Sequence, residues 1–425
     1  MARPRLLPAP KGAVRRQGGI RLRNAGLCRA GAAGALAAGF LLLLALAACR
    51  RAAQLPPAYR EYAYVSNGKS GSVTVIDMQA LRAIKTVPVG RGPVGVAANP
   101  RRNEIYVVNS ESDNVSFIDA ERNLVVATVG VHRAPYFISV SPDGKRGYVA
   151  NSGSANVSVL DLEARKVIRN LRVGAAPGLA RVSPDGSTVA VSNRGEDSVS
   201  LIDSETLAVR ATLPVCRQPE DIAILPDSSK AFVACSGSAQ VAAIDLKTSR
   251  LLALLDVGNT PVHLALKPDG GEIFVSNFGA QTVSVIETSS NEVGASYLMG
   301  DRPVRGLVSR DNALLYESNF GSDSISIFGI EDGKPLLTIR VGSRPDALAL
   351  SQSGEYLLAL DTGSGDVAVV RVTERRYKKA WNPVIVSPAA LVTTIPAGAQ
   401  PNQIVVKAFL QRPPSFLLSV RNHVN

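Results

Sequence analysis

The chain of 425 residues contains three histidines, and two of them, His132 and His263, lie in a repeated part of the sequence. An imidazole can carry a proton at neutral pH or ligate a metal or haem iron, so both are candidates for such a role. Metal sites need ligands more closely clustered than these two residues. The sequence therefore predicts no metal site, and a structural or surface role is the simpler interpretation of each histidine.

A larger group of charged and aromatic residues recurs in loops of the same kind. Arginine and aromatic side chains beside a few acids suit recognition of a partner or an anionic ligand. A solvated rim of mutually paired charges is the plainer interpretation of any single one. The candidate binding residues are His132, Arg133, Tyr136, Phe137, Arg217, Glu220, Asp221, His263, Arg302, Arg305, Arg344 and Asp346.

Motifs of common catalytic sites are absent from the sequence. There is no Cys-x-x-Cys-His for covalent haem, no His-Glu-x-x-His and no Gly-x-Ser-x-Gly nucleophile elbow. No nucleophile can be placed beside a base. We therefore assign no catalytic residue and no cofactor from sequence motifs.

The candidate residues are positioned by a pattern that recurs every 42 residues. A period near 40 residues with several short strands per unit predicts a β-propeller. The loop Gly-x-x-Pro should lead into the innermost strand of each unit, which places the candidates around the mouth of a central channel. The two repeated series are Pro93, Pro135, Pro177, Pro219, Pro261, Pro303 and Pro345, and Asn67, Asn109, Asn151, Asn193, Asn277 and Asn319, with Cys235 at the missing asparagine position.

The repeat resembles the YVTN-type β-propeller repeat family. Tyr64-Val65-Ser66-Asn67 and Tyr148-Val149-Ala150-Asn151 stand at the family's Tyr-Val-Thr-Asn strand, and Ser141-Pro142-Asp143-Gly144 stands at its turn. The resemblance covers about three quarters of the chain. It implies a propeller, usually extracytoplasmic, without implying a single activity.

The number of units favours an all-β propeller of eight four-stranded antiparallel blades over one of seven with a spare sheet. An eighth unit begins after Tyr356, is interrupted by an insertion over about 373–390 that includes Trp381, and resumes at Thr394. The last strand, from Ile404, should pair with the first strand of the chain and close the ring, which removes an open sheet edge. We expect the propeller to span residues 63–409, followed by a tail over 410–425.

Two cysteines break the pattern in one blade. Cys216 replaces the glycine of the Gly-x-x-Pro loop, and Cys235 replaces the repeated asparagine. We expect that the asparagine side chain bonds to the loop backbone in the other blades. In this blade a disulfide would replace that contact, and two free buried thiols are the alternative.

The N-terminal segment has the features of a bacterial lipoprotein signal over residues 1–48. Basic residues precede an apolar run that ends Leu46-Ala47-Ala48-Cys49, which resembles a lipobox. It implies acylation of Cys49, with residues 49–62 as a tether. We expect a lipid-anchored protein of the cell envelope, more consistent with the outer membrane than with the inner one, and a single transmembrane helix is the alternative.

The net charge of +12 does not indicate nucleic-acid binding. Residues 1–60 contain eleven Lys and Arg and no acid, and residues 371–425 carry +7, which leaves −6 on the repeats. A nucleic-acid surface needs a basic patch on the folded domain. We therefore expect a monomer with no nucleic-acid partner, which contacts the membrane through its lipid and binds an envelope protein or a small ligand.

Three functions remain compatible with these features. The first is a non-enzymatic binding or scaffold protein that uses the channel mouth. The second is a lactonase-like hydrolase, in which Arg305, Glu220 and His263 would act. The third is a propeller that binds a tetrapyrrole or another cofactor, since eight-bladed propellers that resemble this family hold a tetrapyrrole with a histidine ligand, here His263 or His132.

Overall fold

The computed structural model describes residues 59–372 and 389–411. The signal segment, Cys49, residues 373–388 of the insertion expected over about 373–390 and the tail from residue 412 lie outside the described residues. All regular structure in the described part is β-strand. None of the described residues form a helix that could cross a bilayer.

Thirty-two strands follow one another along the described residues. Four strands form each blade. Every blade has the same strand order, so corresponding strands of different blades lie at the same distance from the channel. The innermost strands are β4 (Pro93–Ala98), β8 (Pro135–Val140), β12 (Pro177–Val182), β16 (Pro219–Ile224), β20 (Pro261–Leu266), β24 (Pro303–Val308), β28 (Pro345–Leu350) and β32 (Pro401–Leu410). The second strands are β1 (Tyr59–Asn67), β5 (Glu104–Asn109), β9 (Arg146–Asn151), β13 (Thr188–Asn193), β17 (Lys230–Cys235), β21 (Glu272–Asn277), β25 (Leu314–Asn319) and β29 (Tyr356–Asp361).

The outer half of each blade repeats with the same regularity. The third strands are β2 (Ser72–Asp77), β6 (Asn114–Asp119), β10 (Asn156–Asp161), β14 (Ser198–Asp203), β18 (Gln240–Asp245), β22 (Thr282–Glu287), β26 (Ser324–Gly329) and β30 (Asp366–Arg371). The outermost strands are β3 (Arg82–Pro88), β7 (Leu124–Gly130), β11 (Lys166–Arg172), β15 (Ala208–Pro214), β19 (Arg250–Asp256), β23 (Glu292–Leu298), β27 (Lys334–Arg340) and β31 (Ala390–Pro396).

Eight separate four-stranded sheets confirm the predicted eight-bladed propeller. Blade 1 has the strand order β32-β1-β2-β3, and blades 2 to 8 take the remaining strands in sequence. Strand β32 pairs antiparallel with β1, with Tyr64 opposite Val405. This pairing closes the ring as predicted. It extends from Tyr59 opposite Leu410 to Asn67, so β1 begins before Ala63.

The hydrophobic core lies between neighbouring blades. The second and third strands are buried on both faces, as in β13, where all six residues are buried, while outermost strands such as β3 are almost wholly exposed. Three repeated tyrosines, Tyr64, Tyr106 and Tyr148, are among the largest fully buried side chains. The hydroxyl of Tyr64 donates to Asn123 at 2.7 Å, which avoids the cost of burying an unpaired polar group.

The repeated asparagines fix the second strand to the third. In six blades the asparagine Nδ2 donates to a hydroxyl seven residues later at 2.9 Å, for example Asn67 to Thr74 and Asn319 to Ser326. The predicted bond to the loop is also present in two of these blades, where the N–H groups of Gly398 and Gly300 donate to Asn67 and Asn319. A Cβ on Gly300 would lie 2.7 Å from the Cβ of Asn319, so this close contact requires glycine.

Blade 5 replaces this contact with a disulfide between Cys216 and Cys235. Their Cα atoms are 5.6 Å apart, within the roughly 4.4–6.8 Å that a disulfide spans. Ala242 stands seven residues after Cys235, where six other blades have the hydroxyl partner. Blade 5 thus lacks both the asparagine of the second strand and the hydroxyl of the third strand that bond to each other elsewhere. The disulfide stabilises this blade in place of that hydrogen bond.

Candidate functional site

The innermost strands surround a central channel that contains a cavity of about 500 Å³. All eight blades contribute to its wall, mainly through the first residues after each repeated proline. The volume falls within the roughly 300–1,000 Å³ of small-molecule sites. The predicted residues that line it are Tyr136, Phe137, Glu220, Asp221, His263, Arg305 and Asp346.

The second residue after each proline forms a ring around the channel. In blades 5, 6 and 7 this residue is Asp221, His263 and Arg305. Each of these side chains is thereby placed beside the next by the same strand register. The other five blades carry uncharged residues at this position, namely Gly95, Phe137, Leu179, Ala347 and Gln403.

Asp221 is the buried anion of this ring. Its Oδ2 accepts the N–H of Leu264 at 3.1 Å, and its Oδ1 lies 3.3 Å from a guanidinium nitrogen of Arg181. Burial opposes ionisation, but the guanidinium groups of Arg181 and Arg305 and the hydrogen bond from the Leu264 N–H hold the pKa of Asp221 below its usual value. The carboxylate therefore stays charged at neutral pH.

His263 is held as a neutral imidazole in the wall of the channel. Burial, with help from the nearby Arg305, lowers the pKa of His263 to about 3. The N–H of Gly306 donates to its Nδ1 at 3.2 Å, which assigns the proton to Nε2. Nε2 lies 3.5 Å from Oδ2 of Asp221. Both ring nitrogens are thus engaged by the protein.

Arg305 is the charged group in the wall that is open to a ligand. Its Nε is buried without a hydrogen-bond partner, and its guanidinium forms no ion pair with any residue in 59–372 or 389–411. Asp346 also lines the cavity, and burial raises the pKa of its carboxyl despite the attraction of Arg305. An unpartnered guanidinium in a cavity can bind a carboxylate or another planar anion.

Two aromatic side chains lie beside arginines on the opposite part of the wall. The guanidinium of Arg181 is 5.7 Å from the centre of the Phe137 ring, and that of Arg194 is 4.5 Å from the Tyr136 ring. Arg194 also pairs with Glu220 at 3.4 Å. The aromatic faces and guanidinium planes offer stacking surfaces for a flat ligand.

The remaining predicted residues lie at the mouth and do not line the cavity. His132 is exposed, with its Nδ1 2.6 Å from Nδ2 of Asn156, and Arg133 is exposed beside it. Arg217 donates to the carbonyl of Gly237 through two guanidinium nitrogens.

Arg302 and Arg344 share one arrangement in adjacent blades of the mouth. Their guanidiniums lie 5.9 Å and 5.8 Å from the rings of Phe278 and Phe320, respectively. The centres of these two rings are 6.0 Å apart. The mouth therefore carries a second aromatic and cationic surface outside the cavity.

Sequence reasoning missed two charged residues of the site, Arg181 and Glu317. Both are departures from the repeat that a full comparison of the blades could have found. Glu317 stands where the other blades have Val65, Val107, Val149, Val191, Val233, Val275 and Ala359. Arg181 stands where the others have Ala97, Ser139, Ala223, Ala265, Leu307, Ala349 and Val405.

Glu317 is a fully buried carboxyl directly behind the channel wall. It lies opposite Gly306 in the pairing of β24 with β25, and neither of its oxygens has a hydrogen-bond partner among the described residues. Burial raises the pKa of Glu317 to about 8, although the Ser276 hydroxyl and Arg305 lower it in part. The carboxyl is therefore neutral at pH 7.

Gly306 provides the space for this carboxyl. A Cβ at residue 306 would lie 2.8 Å from Oε2 of Glu317 and 2.9 Å from the Cβ of Ala265. The other blades have Val96, Ile138, Ala180, Ile222, Leu264, Leu348 and Ile404 at the position of Gly306. Blade 7 has thus exchanged an apolar pair for a glycine and a buried acid.

Comparison with known proteins gives one family match and several structural neighbours. The sequence model of the family described as "Cytochrome D1 heme domain" matches residues 99–223. This segment, less than half of the chain, includes Arg181 and Asp221 but not His263. No curated protein matches the sequence.

Two solved structures illustrate the likeness in fold. One is the dihydro-heme d1 dehydrogenase NirN in complex with DHE, with a TM-score of 0.67 and 15% identity over 81% of this chain and 74% of that chain. The other is the hydrazine synthase of Kuenenia stuttgartiensis, with a TM-score of 0.53 and 22% identity over 66% of this chain and 96% of that chain. At these identities the likeness shows the fold alone.

These matches correct the leading functional expectation from the sequence. A binding or scaffold protein for an envelope partner is wrong as the main interpretation, because the family match is to a haem domain. The charged residues expected to face a partner at the mouth are in part channel residues, since Asp221, His263 and Arg305 line an internal cavity. The chain belongs among the β-propellers, and its residues 99–223 are similar to the cytochrome D1 heme domain.

Proposed function

We propose that the channel binds a tetrapyrrole of the haem type, and that Arg305 receives one of its carboxylates. The observation that carries this proposal is the position of Arg305 in the wall of a cavity of about 500 Å³, where its buried Nε has no hydrogen-bond partner among the described residues. The match of residues 99–223 to a haem domain supports the class of ligand.

The residues of the channel fit the periphery of such a ligand. Haem-type tetrapyrroles are flat and carry anionic carboxylates at their edge. Phe137 and Tyr136 offer stacking faces, and Arg305 and the half-exposed Arg181 offer guanidinium donors. A bound carboxylate would relieve the unsatisfied buried Nε of Arg305, which otherwise costs free energy.

The same residues do not fit ligation of an iron by His263. An iron ligand must present an unprotonated ring nitrogen to the metal. Nδ1 of His263 accepts the N–H of Gly306, and Nε2 carries its proton towards Asp221. His132 is exposed at the mouth and does not line the cavity. We therefore assign no axial ligand to either histidine.

The chain's own residues have defined roles in this proposal. Asp221 and the Gly306 N–H orient His263 and set its tautomer, so that its ring presents a neutral surface. Arg181, held by Asp221 and by the carbonyl of Ile222, supplies charge deeper in the channel. A haem-type group, when bound, would supply the redox and ligand-binding chemistry of its iron.

Titration with haemin and with iron-free protoporphyrin tests the proposal. Both should bind to the purified protein, seen as a change in the porphyrin absorption band. Arg305→Ala should weaken binding at least tenfold, as expected for loss of a charge-assisted contact of about 1.5–3 kcal/mol, and Arg305→Lys should lose less. Arg310→Ala removes an exposed arginine outside the channel and serves as the matched control. Absence of binding to the wild type, or equal affinity of Arg305→Ala, would refute the proposal.

The lactonase alternative receives less support from the site. Its three residues were Arg305, Glu220 and His263. Glu220 is paired with Arg194, and both nitrogens of His263 are occupied. No general base is therefore free beside a nucleophile in the described channel.

We also propose that the protein is exported and anchored through an acylated Cys49, as a monomer of the cell envelope in the wider YVTN-type repeat group. The lipobox-like sequence and the disulfide of blade 5 support export, since disulfides persist in oxidising compartments. Cys49→Ala should move the protein from the membrane fraction to the soluble envelope fraction. An unchanged membrane fraction would contradict the anchor.

A further inference from the structure

Blade 7 contains a charged arrangement that the other blades lack. Its innermost strand carries Arg305 and Gly306 side by side, and its second strand carries Glu317 opposite Gly306. Gly306 and Glu317 compensate each other in volume, because the missing side chain of the glycine leaves the space that the carboxyl fills. A buried acid kept in this way, against its desolvation cost, indicates a role beyond packing.

Glu317 is electrostatically coupled to Arg305 but makes no bond to it. Arg305 lowers the pKa of Glu317, while neither carboxyl oxygen nor the Arg305 Nε has a hydrogen-bond partner among the described residues. While Glu317 is neutral, it does not compete for the charge of Arg305, which lines the channel with its Nε free of any hydrogen bond to a described residue. Once ionised, Glu317 would attract that guanidinium and repel an anion bound beside it.

We propose that Glu317 determines the affinity of the channel for anionic ligands, by leaving Arg305 open while neutral and competing with the ligand when ionised. The inference rests on the proposed binding of a tetrapyrrole carboxylate at Arg305. It predicts that anion binding is accompanied by uptake of a proton by Glu317. The linkage is reciprocal, so a bound anion also makes Glu317 harder to ionise.

The other groups that face this pair do not produce the same effect. The Ser276 hydroxyl on β21 interacts with Glu317, and Ser326 on β26 lies opposite it; neither serine titrates in the relevant range. His263 on β20 stays neutral, and Asp221 stays charged above neutral pH.

Asp346 on β28 is the only other facing carboxyl in the described channel whose pKa is raised through burial and influenced by Arg305. Asp346→Asn therefore measures how much that carboxyl contributes to the pH dependence of anion affinity. If Glu317 has the proposed role, this variant still loses affinity at high pH.

The experiment measures the affinity of iron-free protoporphyrin IX between pH 6.5 and 9.5. An iron-free probe avoids ionisation of water on the metal. Wild-type affinity should fall about fivefold or more between pH 7 and 9.5, at the lower end of typical coupling between two sites. Glu317→Gln should show little of this fall, and calorimetry in buffers of different ionisation enthalpy should detect proton uptake at pH 8 only when Glu317 is present.

Asp361→Asn is the matched control. Asp361 is a buried carboxyl in blade 8 whose pKa is likewise raised to about 8 through burial, but Arg305 does not contribute to it. This variant should retain the wild-type fall in affinity. If Glu317→Gln misfolds, the pair Gly306→Leu with Glu317→Val, which restores the residues of other blades, replaces it.

Each result decides the inference. The inference is overturned if porphyrin affinity falls equally with pH in wild type and Glu317→Gln, or does not fall in wild type. Either result leaves the proposed function intact. If no form binds the porphyrin, the proposed function fails, and the Glu317–Arg305 link is then judged from the pH midpoint of Glu317 in stability measurements. An Arg305→Gln change that raises this midpoint supports the link, and an unchanged midpoint overturns it.

Discussion

Replacing Glu317 with glutamine is expected to change how the stability of the protein depends on pH. In the folded chain the pKa of Glu317 is raised to about 8 through burial, from an ordinary value of 4.5. The unfolded chain therefore loses this proton near pH 4.5, whereas the folded chain keeps it until about pH 8. The free energy of unfolding consequently falls as pH rises through this window and is constant above it.

The size of the effect follows from the shift. A difference of about 3.5 pH units at about 1.4 kcal/mol per unit corresponds to about 5 kcal/mol over the whole window. Between pH 5.5 and 7.5 the wild type should lose about 2.7 kcal/mol through this one group. Glu317→Gln cannot ionise, so the stability of the variant relative to the wild type should rise by that amount over the same range.

Urea-induced unfolding, followed by circular dichroism at several pH values, measures this difference. Other titrating groups cancel because they are present in both chains. Among them, the lowered pKa of His263 has the opposite sign, since it removes stability as pH falls below 6.5. A difference between Glu317→Gln and wild type that is constant from pH 5.5 to 7.5 would refute the assignment of Glu317 as a buried neutral acid.

Three further predictions concern packing and the contacts between strands. Asp361→Asn should stabilise the protein increasingly between pH 4 and 8, because burial raises the pKa of that carboxyl to about 8. Thermal unfolding at pH 5 and pH 8 measures this gain in stability, and a gain at pH 5 alone would contradict the prediction. Reduction of the Cys216–Cys235 disulfide should cost about 3 kcal/mol in urea unfolding, from a sequence separation of 19 residues, and an unchanged midpoint would contradict it. Gly306→Leu alone should lower the free energy of unfolding by about 1–3 kcal/mol through overpacking against its neighbours. Urea unfolding measures this loss, and an unchanged stability would show that the space behind the channel wall is larger than described.

The fold could be predicted from the sequence because a propeller is a local pattern repeated. Each blade is specified by its own prolines, asparagines and apolar alternation, so the 42-residue period determined strand number, blade number and closure by β32. The pair Cys216 and Cys235 could be found in the same way, as two departures at positions that face each other.

The site could be predicted only in part. Counting positions from the prolines placed Asp221, His263 and Arg305 near the channel, but did not show that they form one continuous side of it. It also placed His132 and Arg217 among the candidates, although neither lines the cavity. Glu317 was missed because it lies on a second strand, away from the loops where ligand-binding residues were sought.

The sequence by itself determined the architecture, since blades 2 to 8 are each built from four consecutive strands of the chain, and only blade 1 joins its two ends. Only the tertiary structure decided the chemistry of the channel, because protonation depends on burial and on neighbours from other blades. His263 is neutral because the ring buries it between Asp221 and Gly306, residues 42 positions before it and 43 positions after it. Glu317 keeps its proton because Gly306 lets it lie buried behind the wall, near Arg305, whose Nε has no hydrogen-bond partner among the described residues.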